Sequence, residues 1–202
     1  HIHSNNEGNT VYIVSGVHGD EKAGWYAGSL LKNVTISSGD LYIIAPANIR
    51  GANENIRDVV EDIDLNRSFN TNFDSLENLN EANLIAKAIY DDIGRVKPNV
   101  VLDLHEAILY KVENHDFLGS SFIFSELDGI EDLFFGLLME NADGNLCHNE
   151  FGYNGPGPAG SLNASVTYGL KVPVITVETF MGYDIYRRVY DQLEVVQYTL
   201  RF

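Results

Sequence analysis

The sequence has little cysteine, little positive charge and no long apolar run, and each shortage excludes a class of protein. Cys147 is the single cysteine in 202 residues, so no internal disulfide can form and a cysteine-based zinc cluster is excluded. Only 13 Lys and Arg stand against 29 Asp and Glu, a net charge of -16. This acidity argues against general nucleic-acid binding and against docking on anionic membranes.

Linkers and membrane segments are also missing. No apolar stretch approaches the roughly 20 residues that a membrane helix requires, so we expect no membrane insertion. No Pro-rich or Gly/Ser-rich tract and no repeat of fixed period divides the chain, which predicts one domain over residues 1–202. The chain opens without an initiator Met, which we interpret as trimming or processing. The sequence leaves open the oligomeric state and the compartment, whether secreted, periplasmic, cell-envelope or cytoplasmic.

Short β-type runs alternate with helical patterns along the chain. This alternation predicts a three-layer α/β/α domain with a mixed, largely parallel sheet. Two stretches, 47–77 and 143–161, fit neither pattern, and loops of this length are usually functional or disordered. The predicted strands are 10–16, 40–46, 98–104 and 172–178, with a weaker candidate at 120–125, and the predicted helices are 22–32, 78–92, 129–142 and 184–198.

Polar side chains follow several of these predicted strands. His18 and Glu21 come after the first strand, His105 and Glu106 after the third, and Glu178 closes the fourth. In open α/β sheets, ligand sites form beyond the carboxyl ends of the strands, so we expect these side chains to converge.

Two histidines and a glutamate are a ligand set that suits zinc. Catalytic zinc sites use three protein ligands with N and O donors and keep one open position. His18, Glu21 and His105 supply such a set, and the sequence predicts that they bind one Zn²⁺ ion. The alternative is that each histidine lies in the core and is satisfied by a backbone carbonyl, which is the better interpretation of either histidine alone.

The motif "DIDLNRSF" offers groups that could support the metal and bind a substrate. Asp64 could accept the second ring N–H of a ligand histidine. Asn66 and Arg67 are adjacent polar groups, and an arginine binds carboxylates in a bidentate manner. Arg57 and Arg50 precede them in a chain that is poor in basic residues. The alternative is a salt-bridged loop, since acidic residues are interspersed, and composition alone does not decide between the two.

Glu178 is a charged residue at the end of a run of buried β-type residues. Such a position is costly unless the charge is paired or functional. A carboxylate near a metal can take a proton from water and later pass it to a leaving amine. The alternative is an exposed strand end.

Taken in order, the motifs "HGDE", "DLNRSF", "DLHEA" and "ITVETF" resemble the zinc-carboxypeptidase superfamily over most of the chain. That superfamily includes carboxypeptidase A-like enzymes, murein-peptide amidases, cell-shape D,L-carboxypeptidases and the succinylglutamate desuccinylase/aspartoacylase branch. The resemblance implies that His18, Glu21 and His105 are the zinc ligands and that Glu178 is the general base and acid.

The resemblance also implies the remaining site residues. Asn66 and Arg67 are similar to the pair that holds a substrate carboxylate, and Asp64 to the partner of the first ligand histidine. Arg57 resembles the arginine that polarises the scissile carbonyl, with Arg50 competing for that role. Tyr153 is the nearest match to the mobile tyrosine of carboxypeptidases.

The expected function is therefore zinc-dependent hydrolysis of an amide bond next to a free carboxylate. A metallopeptidase of the carboxypeptidase type or an amidase of peptidoglycan (murein) peptides is the first expectation. An N-acyl amino acid deacylase is the alternative. The deacylase branch often carries a C-terminal β-rich domain, whereas this chain ends soon after Glu178. A non-catalytic binding module on the same fold is the third hypothesis.

His115 and His148 are interpreted as surface or loop residues, and His1 and His3 as a frayed end.

Overall fold

Among the residues that the structure describes, a seven-stranded mixed sheet forms the centre of the fold. The computed structural model describes residues 1–60, 62–108, 119–126 and 128–202, so His115 lies outside the described residues. The strand order is β1-β3-β2-β4-β7-β5-β6. Strands β2, β3, β4 and β7 run parallel, β5 and β6 are parallel to each other, and the pairs β1–β3 and β5–β7 are antiparallel. The strands are β1 (Ile2–His3), β2 (Thr10–Ser15), β3 (Asp40–Ile44), β4 (Val100–Ala107), β5 (Ser121–Phe124), β6 (Gly152–Asn154) and β7 (Val174–Phe180).

Six α-helices accompany the sheet in the described part of the chain. Two of them were not predicted: α2 lies inside the first unassigned stretch, and α5 begins directly after the second. Ser161 caps α5 by accepting a hydrogen bond from Ala164 N. This local signal for the start of a helix was overlooked because the residues before it are polar and rich in glycine. The helices are α1 (Lys22–Leu31), α2 (Ile49–Glu54), α3 (Glu81–Val96), α4 (Glu131–Ala142), α5 (Leu162–Leu170) and α6 (Ile185–Thr199), with short 3-10 helices at Leu65–Arg67 and Phe73–Ser75.

The helices cover both faces of the sheet, as the apolar character of the strands predicts. Helices α1, α4 and α6 contribute to one apolar cluster, and α3 and α5 to the other. Strand β4 is buried along its whole length, with Leu102 and Leu104 in the first cluster and Val101 in the second. The predicted three-layer α/β/α fold with a mixed, largely parallel sheet is therefore confirmed. In the described ranges, no helix combines the length and the apolar character needed to cross a bilayer.

The prediction of a frayed amino-terminal end was wrong. Residues Ile2–His3 form strand β1, which pairs antiparallel with β3 so that His3 lies opposite Asp40. The pairing gives the backbone of this segment hydrogen-bond partners on β3. A strand of only two residues is too short to leave a recognisable pattern in the sequence.

Candidate active site

A tight turn after β2 brings His18 and Glu21 to the carboxyl end of the sheet. Gly16 has a φ of +69°, a conformation that glycine adopts without strain. At Gly19, a Cβ atom would lie 2.0 Å from the backbone of Gly51 in α2, so only glycine allows this close approach. Glu21 is then the residue before the first turn of α1, and both its side chain and that of His18 are buried.

Three buried side chains converge at this point. His18 Nδ1 lies 2.6 Å from Glu21 Oε1, and His105 Nδ1 lies 2.8 Å from Glu21 Oε2. The candidate ligand atoms of the three residues all lie within 4.8 Å of one another. Two imidazole nitrogens and one carboxylate are the His₂Glu donor set of catalytic zinc sites, so these residues fit the ion that the sequence predicts.

Each histidine also faces an aspartate with its other ring nitrogen. His18 Nε2 lies 3.0 Å from Asp64 Oδ1, and His105 Nε2 lies 3.0 Å from Asp103 Oδ1. A carboxylate hydrogen-bonded at Nε2 fixes the ring orientation and leaves Nδ1 to face the candidate ligand centre, as Asp64 does for His18. Asp103 lies at ion-pair distance from His105, but its Oδ1 atom and His105 Nε2 do not have hydrogen-bond geometry within the described residues. Sequence reasoning named Asp64 but missed Asp103. The signal was present, because Asp103 and His105 are two residues apart on one strand and so share a face.

The ionisable groups of this cluster are strongly coupled. Burial disfavours the charged form of Glu21, but the facing imidazoles of His18 and His105 outweigh it and hold the pKa of Glu21 well below its usual value. Burial opposes the charged form of both histidines as well. The carboxylates of Glu21 and Asp64 nevertheless raise the pKa of His18, and those of Asp103 and Glu21 raise the pKa of His105 well above its usual value.

Glu178 stands beside this cluster on the neighbouring strand. It lies opposite His105 in the β4–β7 register and is buried. Its Oε2 atom has no hydrogen-bond partner within the described ranges. Burial raises the pKa of Glu178 to about 7, with the His105 imidazole opposing the rise and the Glu21 carboxylate adding to it. A buried carboxyl group with a free oxygen and a pKa near neutrality suits a general base.

We expect the metal-free protein to lose stability between about pH 6 and about pH 8. A histidine with a raised folded pKa stabilises the fold below its unfolded pKa of about 6.5, and this contribution is lost as the pH rises through the folded value. Glu178, whose folded pKa is raised to about 7, destabilises the fold increasingly above its unfolded value. Each proton retained only by the folded state lowers the free energy of unfolding by up to about 1.4 kcal/mol per pH unit. Urea unfolding of metal-free protein at both pH values measures the fall.

At acidic pH, Glu21 makes the stability of the fold depend on pH in the opposite direction. Because its folded pKa is lowered, its contribution is present above about pH 4.5 and disappears as the pH falls through the folded value. His148→Gln is the control above neutrality: this histidine pairs with Asp191 outside the cluster, so the fall that belongs to the cluster should persist in the variant. A free energy of unfolding that stays constant from about pH 6 to about pH 8 in metal-free protein would contradict the coupling.

Of the two candidate arginines, only Arg57 reaches the cluster. Its Nη1 donates to Glu21 Oε1 at 3.2 Å and its Nη2 to Asp64 Oδ2 at 3.4 Å. Asn48, which is fully buried, donates to the carbonyl oxygens of Arg57 and Asp58 and so holds this part of the loop. Arg50 lies on α2 with its side chain 52% exposed, and it pairs with Glu54 and Glu81 instead. The structure thus places Arg57, and not Arg50, beside the ligand cluster.

Asn66 and Arg67 lie in the 3-10 helix that follows Asp64. The Asp64 carboxylate accepts from Asn66 N at 2.7 Å, and Asn66 Oδ1 accepts from Leu162 N at 3.0 Å. These bonds tie the motif to the start of α5. The Arg67 guanidinium is exposed and donates through Nη1 to the Asn66 carbonyl at 2.7 Å. Its charge is therefore accessible to a ligand.

A cavity of about 260 Å³ opens over the cluster. Besides the charged groups, its wall includes Asn163, whose Nδ2 donates to Thr176 Oγ1 at 3.0 Å and whose Oδ1 accepts from Ser125 Oγ at 2.6 Å. This uncharged polar wall was missed by sequence reasoning, since it forms only when α5 packs on β7. The predicted site residues that line the cavity are His18, Glu21, Arg57, Asn66, Arg67 and Glu178.

Tyr153 is not among the cavity-lining residues of the described chain. It lies on β6 opposite Phe122, a core residue of the α4 side, and its ring makes an edge contact with Phe134 of α4. Since Thr176 and Glu178 alternate with core residue Val177, they point to the other face of the sheet. The predicted substrate contact of Tyr153 is therefore corrected: strand register directs its side chain away from the cavity.

A second group of residues, none of which was assigned a role from the sequence, supports the candidate ligands from the other face of β4. Glu106 N donates to Glu21 Oε2 at 2.9 Å, while the Glu106 carboxylate accepts from Ala23 N at 2.8 Å and from Arg188 of α6. Gln192 Nε2 donates to the His105 carbonyl at 2.9 Å. Helix α6 therefore holds the carboxyl end of β4 through these two contacts.

Residues 7–111 match the succinylglutamate desuccinylase/aspartoacylase catalytic domain family, just over half of the chain. The chain belongs to this family. The match covers the segments that carry His18, Glu21, Asp64 and His105. The predicted resemblance to the zinc-carboxypeptidase superfamily, of which this family is a branch, is confirmed, and so is the coarser prediction of a hydrolase. No curated protein matches the chain in sequence.

Solved structures share the fold at low identity. Csd4 of Helicobacter pylori, a D,L-carboxypeptidase in its mDAP-bound form, has a TM-score of 0.78 at 18% identity, covering 96% of this chain and 50% of that chain. Succinylglutamate desuccinylase/aspartoacylase of Rhodobacter sphaeroides has a TM-score of 0.67 at 17% identity, over 97% of this chain and 56% of that chain. Succinylglutamate desuccinylase of Chromobacterium violaceum gives 0.69 at 17% identity, over 96% and 63%. The chain spans about half the length of Csd4.

Proposed function

We propose that the chain is a zinc-dependent hydrolase that cleaves an amide bond next to a free carboxylate, with residues 1–202 as its catalytic domain. The observation that carries this proposal is the convergence of His18, Glu21 and His105 beside Glu178, whose buried Oε2 atom has no hydrogen-bond partner among the residues that the structure describes. A binding module would need none of this arrangement. Family membership supports the hydrolase over that third hypothesis.

His18, Glu21 and His105 would hold one zinc ion. When bound, zinc supplies Lewis-acid polarisation of the scissile carbonyl and a water molecule of lowered pKa. Asp64 would orient the His18 imidazole through a hydrogen bond at Nε2, and Asp103 would act on His105 as a buried charge 3.0 Å from Nε2. Both Nδ1 atoms face Glu21.

Glu178 is the proposed general base and acid. Because burial raises its pKa to about 7, it can accept a proton from water and return it near neutral pH. In this assignment, Glu178 first accepts a proton from the attacking water. It then donates a proton to the departing nitrogen. No other carboxylate lining the cavity in the described ranges is equally free, since Glu21 bonds both histidines and Glu106 bonds Arg188.

Two arginines provide the positive charge of the cavity. Arg57, beside Glu21, is assigned to the carbonyl oxygen, where negative charge develops during attack. Arg67, with the neighbouring Asn66, is assigned to the substrate carboxylate, because its guanidinium is exposed to the cavity and free of carboxylate partners among the described residues.

A peptide substrate, and hence a carboxypeptidase or murein-peptide amidase, is the preferred assignment. Arg57 is already paired with Glu21 and Asp64, which leaves Arg67 as the guanidinium for one substrate carboxylate. The polar but uncharged wall of Asn163 and Thr176 suits a neutral or zwitterionic side chain. The high TM-score with Csd4, solved with mDAP, is consistent with this assignment. An N-acyl amino acid deacylase is the alternative, favoured by the family match.

A substrate panel with zinc-loaded protein tests the proposal. Peptidoglycan tripeptides and tetrapeptides, N-succinylglutamate and N-acetylaspartate are incubated with zinc-loaded and chelator-treated protein, and the released amines are quantified. We expect zinc-dependent release from peptides with a free carboxylate, and release that is slower by roughly 10- to 100-fold from their C-terminal amides. Cleavage of the N-acyl amino acids alone would select the deacylase. Equal rates after chelation would exclude a metal-dependent mechanism.

Replacing Arg67 by Gln should lower kcat/KM by roughly 10- to 100-fold, the cost of a lost charge-assisted hydrogen bond to a carboxylate. The effect should be confined to substrates with a free carboxylate, and zinc content should not change. Steady-state kinetics on a peptide and on its C-terminal amide measure the difference. Arg50→Gln is the matched control, since Arg50 pairs with Glu54 and Glu81 outside the cavity. If Arg67→Gln affected acid and amide equally, the assigned carboxylate contact would be wrong.

A further inference from the structure

The amino-terminal edge of the sheet carries a second group of metal-ligand side chains. His3 lies on strand β1 opposite Asp40 of β3, and His1, directly before the strand, stacks on Tyr42 on the same face of β3 as Asp40. His1 Nε2 lies 2.6 Å from Asp40 Oδ1, and His3 Nδ1 lies 2.8 Å from the same oxygen. Two imidazole nitrogens thus meet at one carboxylate oxygen.

The surrounding structure holds these rings in place. The His1 ring stacks on Tyr42 of β3 with centroids 4.1 Å apart, and Tyr42 stacks on Tyr12 of β2. Tyr12 is buried and donates through its hydroxyl to Asp92 of α3 at 2.6 Å. The backbone pairing of β1 with β3 fixes His3 relative to Asp40. The three ligand atoms are therefore preorganised by strand register and by ring stacking, which reduces the entropy lost on binding an ion.

We propose that His1, His3 and Asp40 form a second metal site, for a late first-row divalent transition ion such as Zn²⁺. Imidazole and carboxylate ligands suit these ions, whereas Mg²⁺ and Ca²⁺ prefer oxygen ligands alone. With metal–ligand distances of about 2.0 Å, adjacent ligands lie about 2.8 to 3.3 Å apart, which is close to the separations seen here. The side chains are partly exposed, which leaves further positions to water.

This site is separate from the candidate active site. Asp40 begins β3, whereas the His18, Glu21 and His105 cluster lies beyond the carboxyl ends of the parallel strands. The length of a five-residue strand puts on the order of 15 Å between the two ends of the sheet. Substitutions at the sheet edge should therefore leave the hydrolytic residues undisturbed.

Zinc titration of metal-free protein tests the proposal. Isothermal titration calorimetry should detect two Zn²⁺ per chain for the unmodified protein, and one for His3→Gln and for Asp40→Asn. Loss of a direct ligand should weaken binding at least as much as the roughly 10- to 100-fold that loss of a ligand's hydrogen-bond partner costs. In NMR spectra, the ring resonances of His1 and His3 should shift with the weaker binding event. Activity of Asp40→Asn should equal that of the unmodified protein.

Two further variants make the outcomes distinguishable. Asp132→Asn, an exposed acidic residue in the first turn of α4, is the matched control and should retain the second site. His18→Gln should remove the other binding event, so a failure of the proposed function would leave the sheet-edge site measurable. Chelation by the first residues of the chain alone would survive Asp40→Asn and would overturn the assignment of the aspartate. Unchanged stoichiometry in both His3→Gln and Asp40→Asn would overturn the site.

Discussion

Changing Glu178 to Gln should abolish turnover while zinc stays bound. The amide keeps the size of the side chain but cannot take a proton from water. General acid–base catalysis contributes about 10²- to 10⁴-fold, so we expect kcat to fall by at least that range. Because Glu178 is not among the three convergent ligand candidates, zinc content should not change. The free energy of unfolding above neutral pH should rise slightly, since a buried carboxylate with a raised pKa is replaced by a neutral group.

Single-turnover kinetics and elemental analysis of the same preparation measure this result. Glu126→Gln is the control, since Glu126 is exposed just after β5 and should retain full activity. A Glu178→Gln protein that keeps near-normal kcat would show that another group serves as the base. A protein that loses both zinc and activity would instead make Glu178 part of the ligand set.

The second large effect is expected when Glu21 is replaced by Gln. Zinc affinity should fall by more than about 100-fold, and activity should fall with it, because the only carboxylate of the ligand set is lost. The metal-free protein should also lose about 3 kcal/mol of stability. The reason is that both imidazoles, Glu106 N and Arg57 direct hydrogen bonds or charge at this one carboxylate.

Competition with a chromophoric chelator gives the zinc affinity, and urea unfolding of metal-free protein gives the stability. Glu7→Gln, at an exposed position, controls for the removal of one negative charge from a chain of net charge -16. If the Glu21 variant bound zinc as tightly as the unmodified protein, the ligand set proposed for this site would be incorrect. Stability lost without any loss of zinc would point to a purely structural role of Glu21.

Periodicity was sufficient for the long elements of the fold. Strands β2, β3, β4 and β7 and helices α1, α3, α4 and α6 were all predicted, because their patterns extend over five or more residues. The short strands β1 and β6 and the helices α2 and α5 were not predicted. They depend on partners: β1 pairs with β3, and α5 is fixed by the Asn66–Leu162 contact. Such contacts join residues that are distant in sequence, so no local pattern contains them.

Residue identity and motif order indicated which groups the candidate site contains. Four motifs named His18, Glu21, Asp64 and His105 and placed Glu178 beside them, because parallel strands end at one edge of a sheet. The direction in which each side chain points could not be predicted from the sequence. The tertiary structure placed Arg57, and not Arg50, beside the cluster, turned Tyr153 to the other face of the sheet, and showed Asp103 and Glu106 in contact with the candidate ligands. The physical reason is that the sequence specifies which groups a chain offers, whereas strand register and loop packing specify where each group points.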